Sequence, residues 1–254
     1  MNLFETVNHI KTEFKQEYIS MNEFDYAQNK FVHLPNPKFL FRGEGIYPTT
    51  KSNYHRLLAR NSSVTDDLTT FVIDLSIHLM NFLHPNIDIS SLTYNPVRNN
   101  IIGLIQHYGF PIMFLDFTEN VDVAAFFASH NNVSKKGRIC IIETKEIIKN
   151  NEKFIKLTNS SAKRPVLQEA FALRMFDDKP DLKNTMHFKT VWLDFDITEN
   201  DINIFSNKKI LSTRGDKISD LITSYIQTNP TTNSSLNTLL QEICSDLQNK
   251  KNWA

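Results

Sequence analysis

Apolar residues at the start of the chain recur at helical spacing. Leu3, Val7, Ile10, Phe14 and Tyr18 share one face and predict a helix over roughly residues 3 to 19. A polar turn region follows, and then the apolar run Phe39-Leu40-Phe41, which predicts a short buried strand. Arg42-Gly43-Glu44-Gly45 leaves that strand at once, and Pro48 ends any regular run. A second helical stripe comprises Leu68, Phe71, Val72, Leu75, Leu79 and Phe82, with Ser63 or Thr65 as cap and Asp66 and Asp67 in the first turn. A third helix is expected from Pro96, capped by Asn95, burying Val97, Ile101, Leu104 and Tyr108. It stops at Gly109, a natural left-handed terminator before Pro111.

From residue 112 the texture changes. Ile112 to Phe117 is a short apolar run, and Thr118 is placed to cap a helix whose face carries the small residues Ala124, Ala125 and Ala128 beside Val121. Small residues there let a helix approach a sheet closely. Arg138 to Glu143, Lys153 to Leu157, Val166 to Arg174 and His187 to Phe195 read as successive strands. Two amphipathic stripes close the chain, one with Ile218, Leu221, Ile222, Tyr225 and Ile226, the other with Leu236, Leu239, Leu240, Ile243 and Leu247. Helices first and strands later, without strict alternation, predict an α+β fold with a mixed or antiparallel sheet. The expected organisation is a single compact domain with a helical N-terminal part.

Composition narrows the function classes. With 28 basic and 28 acidic residues in 254, the chain lacks the broad positive field of a non-specific nucleic-acid binder. Its 41% hydrophobic content is that of a globular protein. Cys140 and Cys244 are its two cysteines, too few for a zinc cluster and in keeping with a reducing compartment. No run approaches the ~20 apolar residues that span a bilayer, and the start lacks the pattern of a secretory signal. A cytoplasmic protein without membrane contact is the expectation.

Several catalytic signatures are missing: a Gly-rich phosphate loop with Lys-Ser/Thr, a Gly-x-Ser-x-Gly elbow, and His-Glu-x-x-His. The eight histidines show no ligand spacing, so no metal is expected. What remains is polar residues set beside apolar runs. Arg42, followed by glycines that admit a ligand to the backbone, suits a bidentate phosphate clamp, although spacing alone favours a β-turn with a salt-bridged Arg. Gln106-His107-Tyr108 crowds three hydrogen-bonding side chains before a buried strand. Asp116 and Thr118 end that strand where a helix N-terminus begins, a position that serves an anion or simply a cap. Gln168 and Glu169 interrupt an apolar run, so one of them faces the core or a cleft.

These blocks together resemble a known family. Phe41-Arg42-Gly43-Glu44, Gln106-His107-Tyr108-Gly109-Phe110-Pro111, Leu115-Asp116-Phe117-Thr118-Glu119-Asn120 and Val123-Ala124-Ala125-Phe126-Phe127-Ala128 are similar to the FRG domain, named for its Phe-Arg-Gly element. A third family block, Arg, three residues, then Gln-Gln-Gly and an aromatic, is matched by Arg164, Gln168, Glu169, Ala170 and Phe171. Ile112-Met113 replaces the family's Thr-Arg, and Glu169-Ala170 replaces Gln-Gly, changes that bear on retention of any activity. Tyr54 and Arg56 enter as second-rank candidates because the family often carries an Arg soon after its first block.

More distantly, the layout resembles that of arginine-type ADP-ribosyltransferases. That resemblance implies an ADP-ribosyltransferase-like fold and NAD as substrate. Arg42 would hold the diphosphate, with Asp116 and Thr118 at the nicotinamide ribose. His107 and Tyr108 would line the pocket, Gln106 and Arg164 would assist binding, and Gln168 and Glu169 would do the chemistry. The expected division is an N-terminal helical segment at 1–37, the FRG domain at 38–215 and C-terminal helices at 216–254. The implied setting is a bacterial stress or phage response with a macromolecular acceptor. Two alternatives stay open: a non-catalytic module recognising a nucleotide or nucleic acid, and a nuclease using Asp116 and Glu169 as paired carboxylates.

Overall fold

The computed structural model describes residues 1–25, 30–46, 50–60, 64–83, 96–149, 154–157, 162–175, 181–182 and 189–251. In chain order the elements begin with α1 (Leu3–Glu13), β1 (Tyr18–Asp25), β2 (Lys30–Pro37), β3 (Phe39–Gly45), α2 (Asn53–Leu58), α3 (Thr65–Leu83) and α4 (Pro96–Gln106). Next come β4 (Phe114–Thr118), α5 (Val121–Ser129), β5 (Lys136–Glu143), α6 (Thr144–Lys149), β6 (Phe154–Lys156), α7 (Lys163–Leu167) and β7 (Ala170–Arg174). The chain closes with β8 (Thr190–Asp196), α8 (Glu199–Ile204), a 3-10 turn at Lys208–Leu211, α9 (Lys217–Thr228) and α10 (Ser234–Lys250). The fold class is α+β, and the strand pairs that carry a register are antiparallel. Contacts gather the chain into two units, each assembled from three stretches, and one of the crossings between them falls inside β4 between Asp116 and Phe117.

The first unit comprises residues 1–48, 117–153 and 185–207. Asn2 and Glu5 form a reciprocal capping box that starts α1. The helix ends by Phe14, earlier than its apolar period predicts, because the chain turns there into β1. Tyr18 is therefore a strand residue, and the polar region after it is one arm of the β1–β2 hairpin. The hairpin's alternating apolar positions are two short pairs, Ile19 and Met21 on β1 and Val32 and Leu34 on β2. The sheet of this unit runs from the end of β4 through β3 and β5 to β8. On one face, α5 and α1 cover Phe41, Ile139, Ile141 and Phe195. The expected small-residue face of α5 is present, and Gly43 is its counterpart on the strand. A Cβ added to Gly43 would stand 1.7 Å from the Ala124 carbonyl oxygen. Asn120, not Thr118, caps α5 by accepting from Asp122 N, while Thr118 Oγ1 accepts from Asn120 N in the preceding turn.

The second unit comprises residues 49–116, 154–184 and 208–254. Here the α3 stripe (Leu68, Phe71, Val72, Leu75, Leu79) packs in one core with Ile101 and Leu104 of α4, Ile218 and Ile222 of α9, and Leu240 and Ile243 of α10. β6 pairs with β7, which lies beside the first residues of β4. Gly109 has a φ of 101°, the left-handed stop expected after α4. The strand expected over Val166 to Arg174 is corrected: residues 163–167 are helical, and β7 begins only at Ala170. Pro165 sits comfortably in a first helical turn. Glu169, at a φ of 46°, then redirects the chain from helix to strand. Pro48, Ser63, Asn95 and His187 lie outside the described residues. Among the described residues, no helix is long and apolar enough to cross a membrane.

Candidate functional site

In the second unit, the end of α4, the first half of β4, α7 and the start of α9 converge on one polar network. α4 stops at Gln106, so Gln106, His107 and Tyr108 fan out from its last turn rather than repeating along a helical face. Gln106 donates from Nε2 to Asp116 Oδ1 at 2.5 Å. His107 Nε2 lies 3.3 Å from the same oxygen without making a hydrogen bond. On its other side, His107 Nδ1 lies 2.8 Å from Gln168 Oε1. Gln168 in turn donates from Nε2 to the Ile210 carbonyl at 2.9 Å. Gln168 is thus the inward member of the Gln168–Glu169 pair. It sits at the C-terminus of α7, so the helix end and not strand alternation places it. Glu169 turns outward and is exposed.

Tyr108 is fully buried and donates from its hydroxyl to Asp216 Oδ2 at 2.7 Å. The same Asp216 oxygen accepts from Arg164 N at 3.2 Å, and Oδ1 caps α9 through Ile218 N and Ser219 N. One buried carboxylate therefore ties three segments together. Burial, then the Asp216 charge, pushes the Tyr108 hydroxyl well above its ordinary pKa, so it stays protonated.

Arg164 is the group whose hydrogen bonding is incomplete. The residue is 8% exposed, and among the described residues Nε and Nη1 have no hydrogen-bond partner. Its charge is compensated at longer range by Asp246, Asp116 and Asp216, while burial lowers its pKa. A buried guanidinium whose nearby carboxylates offset only part of the cost of burial, and which is short of acceptors, suits a ligand that brings acceptor oxygens. Gln106 Oε1 is likewise buried without a donor among the described residues. Asp116 is the open side of this arrangement, its side chain 44% exposed. Burial lowers the His107 pKa more than the Asp116 charge raises it, which leaves a neutral imidazole behind a partly exposed carboxylate.

In the first unit, Arg42 lies within β3, not in a turn, and its Nε is 3.2 Å from Glu44 Oε2. Across the strands, Arg42 faces Cys140 and Glu44 faces Arg138. Arg138 stands 3.2 Å from Asp194 and over the Trp192 ring at 5.8 Å. The face is a ladder of alternating charge. Its buried thiol, Cys140, is pushed well up in pKa by burial and then by Glu44, and so is no nucleophile. The close approach that Gly43 permits is that of α5. Thr118 neighbours Phe41 in register and is buried. Of the second-rank pair, Arg56 holds the Lys51 carbonyl from Nε and Nη2, and Tyr54 meets His55 edge-on at 5.5 Å.

The structure therefore joins Gln106, His107, Tyr108, Asp116, Arg164 and Gln168 in one network within the second unit. Sequence reasoning missed Asp216, although an Asp just before the Ile218 stripe is a helix-start signal. Residues 37–137 match the family model of the FRG domain. No curated protein and no solved structure matches the chain.

Proposed function

Because the chain carries an FRG domain over residues 37–137, we propose that it uses NAD, and that the second-unit network binds the dinucleotide for cleavage or ADP-ribosyl transfer. The observation that carries this reading is the buried Arg164 guanidinium, whose Nε and Nη1 have no hydrogen-bond partner among the described residues and which feels the charge of the partly exposed Asp116. NAD brings phosphate, ribose and carboxamide oxygens to meet those donors. Asp116 supplies the fixed negative charge that steadies an oxocarbenium-like ribose as nicotinamide departs. Gln106 holds the Asp116 carboxylate in place. The bacterial stress or phage-response setting rests on the family resemblance alone.

A recognition module without turnover is the second reading. It is favoured by the outward position of Glu169, the carboxylate that the ADP-ribosyltransferase resemblance makes catalytic. Both readings are tested by incubating the protein with NAD, following nicotinamide release and measuring binding by calorimetry. Release that Asp116→Asn abolishes while binding persists supports the enzyme. Binding without release supports the module, and neither binding nor release removes NAD from the account.

A further inference from the structure

Two hydrogen bonds of the Gln168 side chain have opposite polarity, and together they fix its amide. Its Nε2 donates to the Ile210 carbonyl, an acceptor that tolerates nothing but a donor. Oε1 must then be the atom facing His107 Nδ1 at 2.8 Å. A carbonyl oxygen only accepts, so Nδ1 must carry a proton. In a neutral imidazole that leaves Nε2 as a bare lone pair. Nε2 is buried, has no hydrogen bond among the described residues, and lies 3.3 Å from Asp116 Oδ1. Two acceptors side by side repel unless a proton is brought between them. Burial favours the neutral ring, and of the charges acting on it Asp116 favours protonation and Arg164 opposes it.

We infer that His107 is the general base of this site and that Gln168 is its positioning residue, holding the ring as the Nδ1–H tautomer so that Nε2 takes the proton of an attacking hydroxyl. The inference rests on the NAD reading above. In the step, the bond from the ribose C1′ to the nicotinamide nitrogen breaks, and nicotinamide leaves neutral with the electron pair. The bond from C1′ to the oxygen of water or of an acceptor hydroxyl forms. The proton of that hydroxyl passes to His107 Nε2, and the resulting imidazolium is stabilised by Asp116 until it is released to solvent. The acceptor is thereby one that must lose a proton as it attacks, such as water or a hydroxyl, and not a group already deprotonated.

The test needs no ligand. In histidine-labelled wild-type protein near neutral pH, long-range proton–nitrogen correlation spectra report each ring's tautomer, and His107→Gln identifies the His107 signals. The expected result is a protonated Nδ1 and a bare Nε2, with Gln168→Met shifting that ring toward a mixture of tautomers. An Nε2–H tautomer, an imidazolium, or a ring indifferent to Gln168→Met would overturn the inference. Where nicotinamide release is observed, Gln168→Met should lower kcat about 10-fold or more and leave KM for NAD within about two-fold. A KM effect with unchanged kcat would make Gln168 a binding residue instead. If no release occurs at all, the NAD reading fails while the spectra still decide the state of His107.

Discussion

Arg42 and Arg164 are both largely buried arginines, and their surroundings differ in kind. Arg42 stands in a strand and is answered two residues on by Glu44, within a face where Arg138 and Asp194 repeat the pairing on the neighbouring strands. Arg164 stands at a short helix, its burial only partly offset by carboxylates on other segments, with two donors that have no hydrogen-bond partner among the described residues. A paired charge on a sheet face reads as architecture. A buried donor without an acceptor costs about 1–3 kcal/mol and calls for something to meet it. The conspicuous sequence feature, an arginine followed by two glycines, thus belongs to strand and helix packing, and the inconspicuous arginine marks the site.

The contrast is sharpened first at Gly43. Gly43→Ala should cost about 3 kcal/mol or more in urea unfolding, because the new Cβ meets a helix backbone that has no flexible end to move aside. A near-neutral result would free Gly43 for a ligand. A double-mutant cycle of Arg42→Met and Glu44→Gln comes next. The account expects a coupling of about 1–2 kcal/mol, more than an exposed pair gives, since both side chains are mostly buried. No coupling would detach Arg42 from Glu44. Glu169→Gly should raise stability by about 1 kcal/mol by relieving the left-handed backbone, with the glycine's greater unfolded-state entropy taking back part of the gain.

The smallest effect is the pH dependence of His107. Its folded pKa lies below its ordinary value near 6.5, so the unfolded chain binds the proton first. The stability linked to its neutral form is full above that value and is lost as pH falls through it toward the folded pKa. The wild-type protein should therefore lose more stability than His107→Gln between neutral pH and mild acid. Equal losses would show that this ring is not held neutral by the fold.

Much of the helical core was legible because its apolar period is strong. The α3 stripe, the Pro96 start and Gly109 stop of α4, and the small face of α5 all follow from local chemistry that the tertiary structure does not overrule. The β1–β2 hairpin was not legible, since its backbone bonds are satisfied by pairing and its alternating positions, Ile19 with Met21 and Val32 with Leu34, are only two residues per strand. Val166 and Leu167 read as strand because an apolar run of that length fits either state, and the left-handed turn at Glu169 has no glycine to announce it. Within the site, Gln106, His107, Asp116 and Gln168 stood out as polar residues beside apolar runs. Asp216 did not, because its role as a link between segments exists only once the chain has folded.

The central claim is that Arg164, not Arg42, meets the nucleotide. Calorimetric titration of NAD into the wild-type protein, Arg164→Met and Arg42→Met tests it directly. The account predicts that Arg164→Met weakens binding about 10-fold or more, as expected for lost hydrogen bonds to a charged group, and that Arg42→Met changes it far less. The opposite order, with Arg42→Met abolishing binding and Arg164→Met leaving it intact, would contradict it.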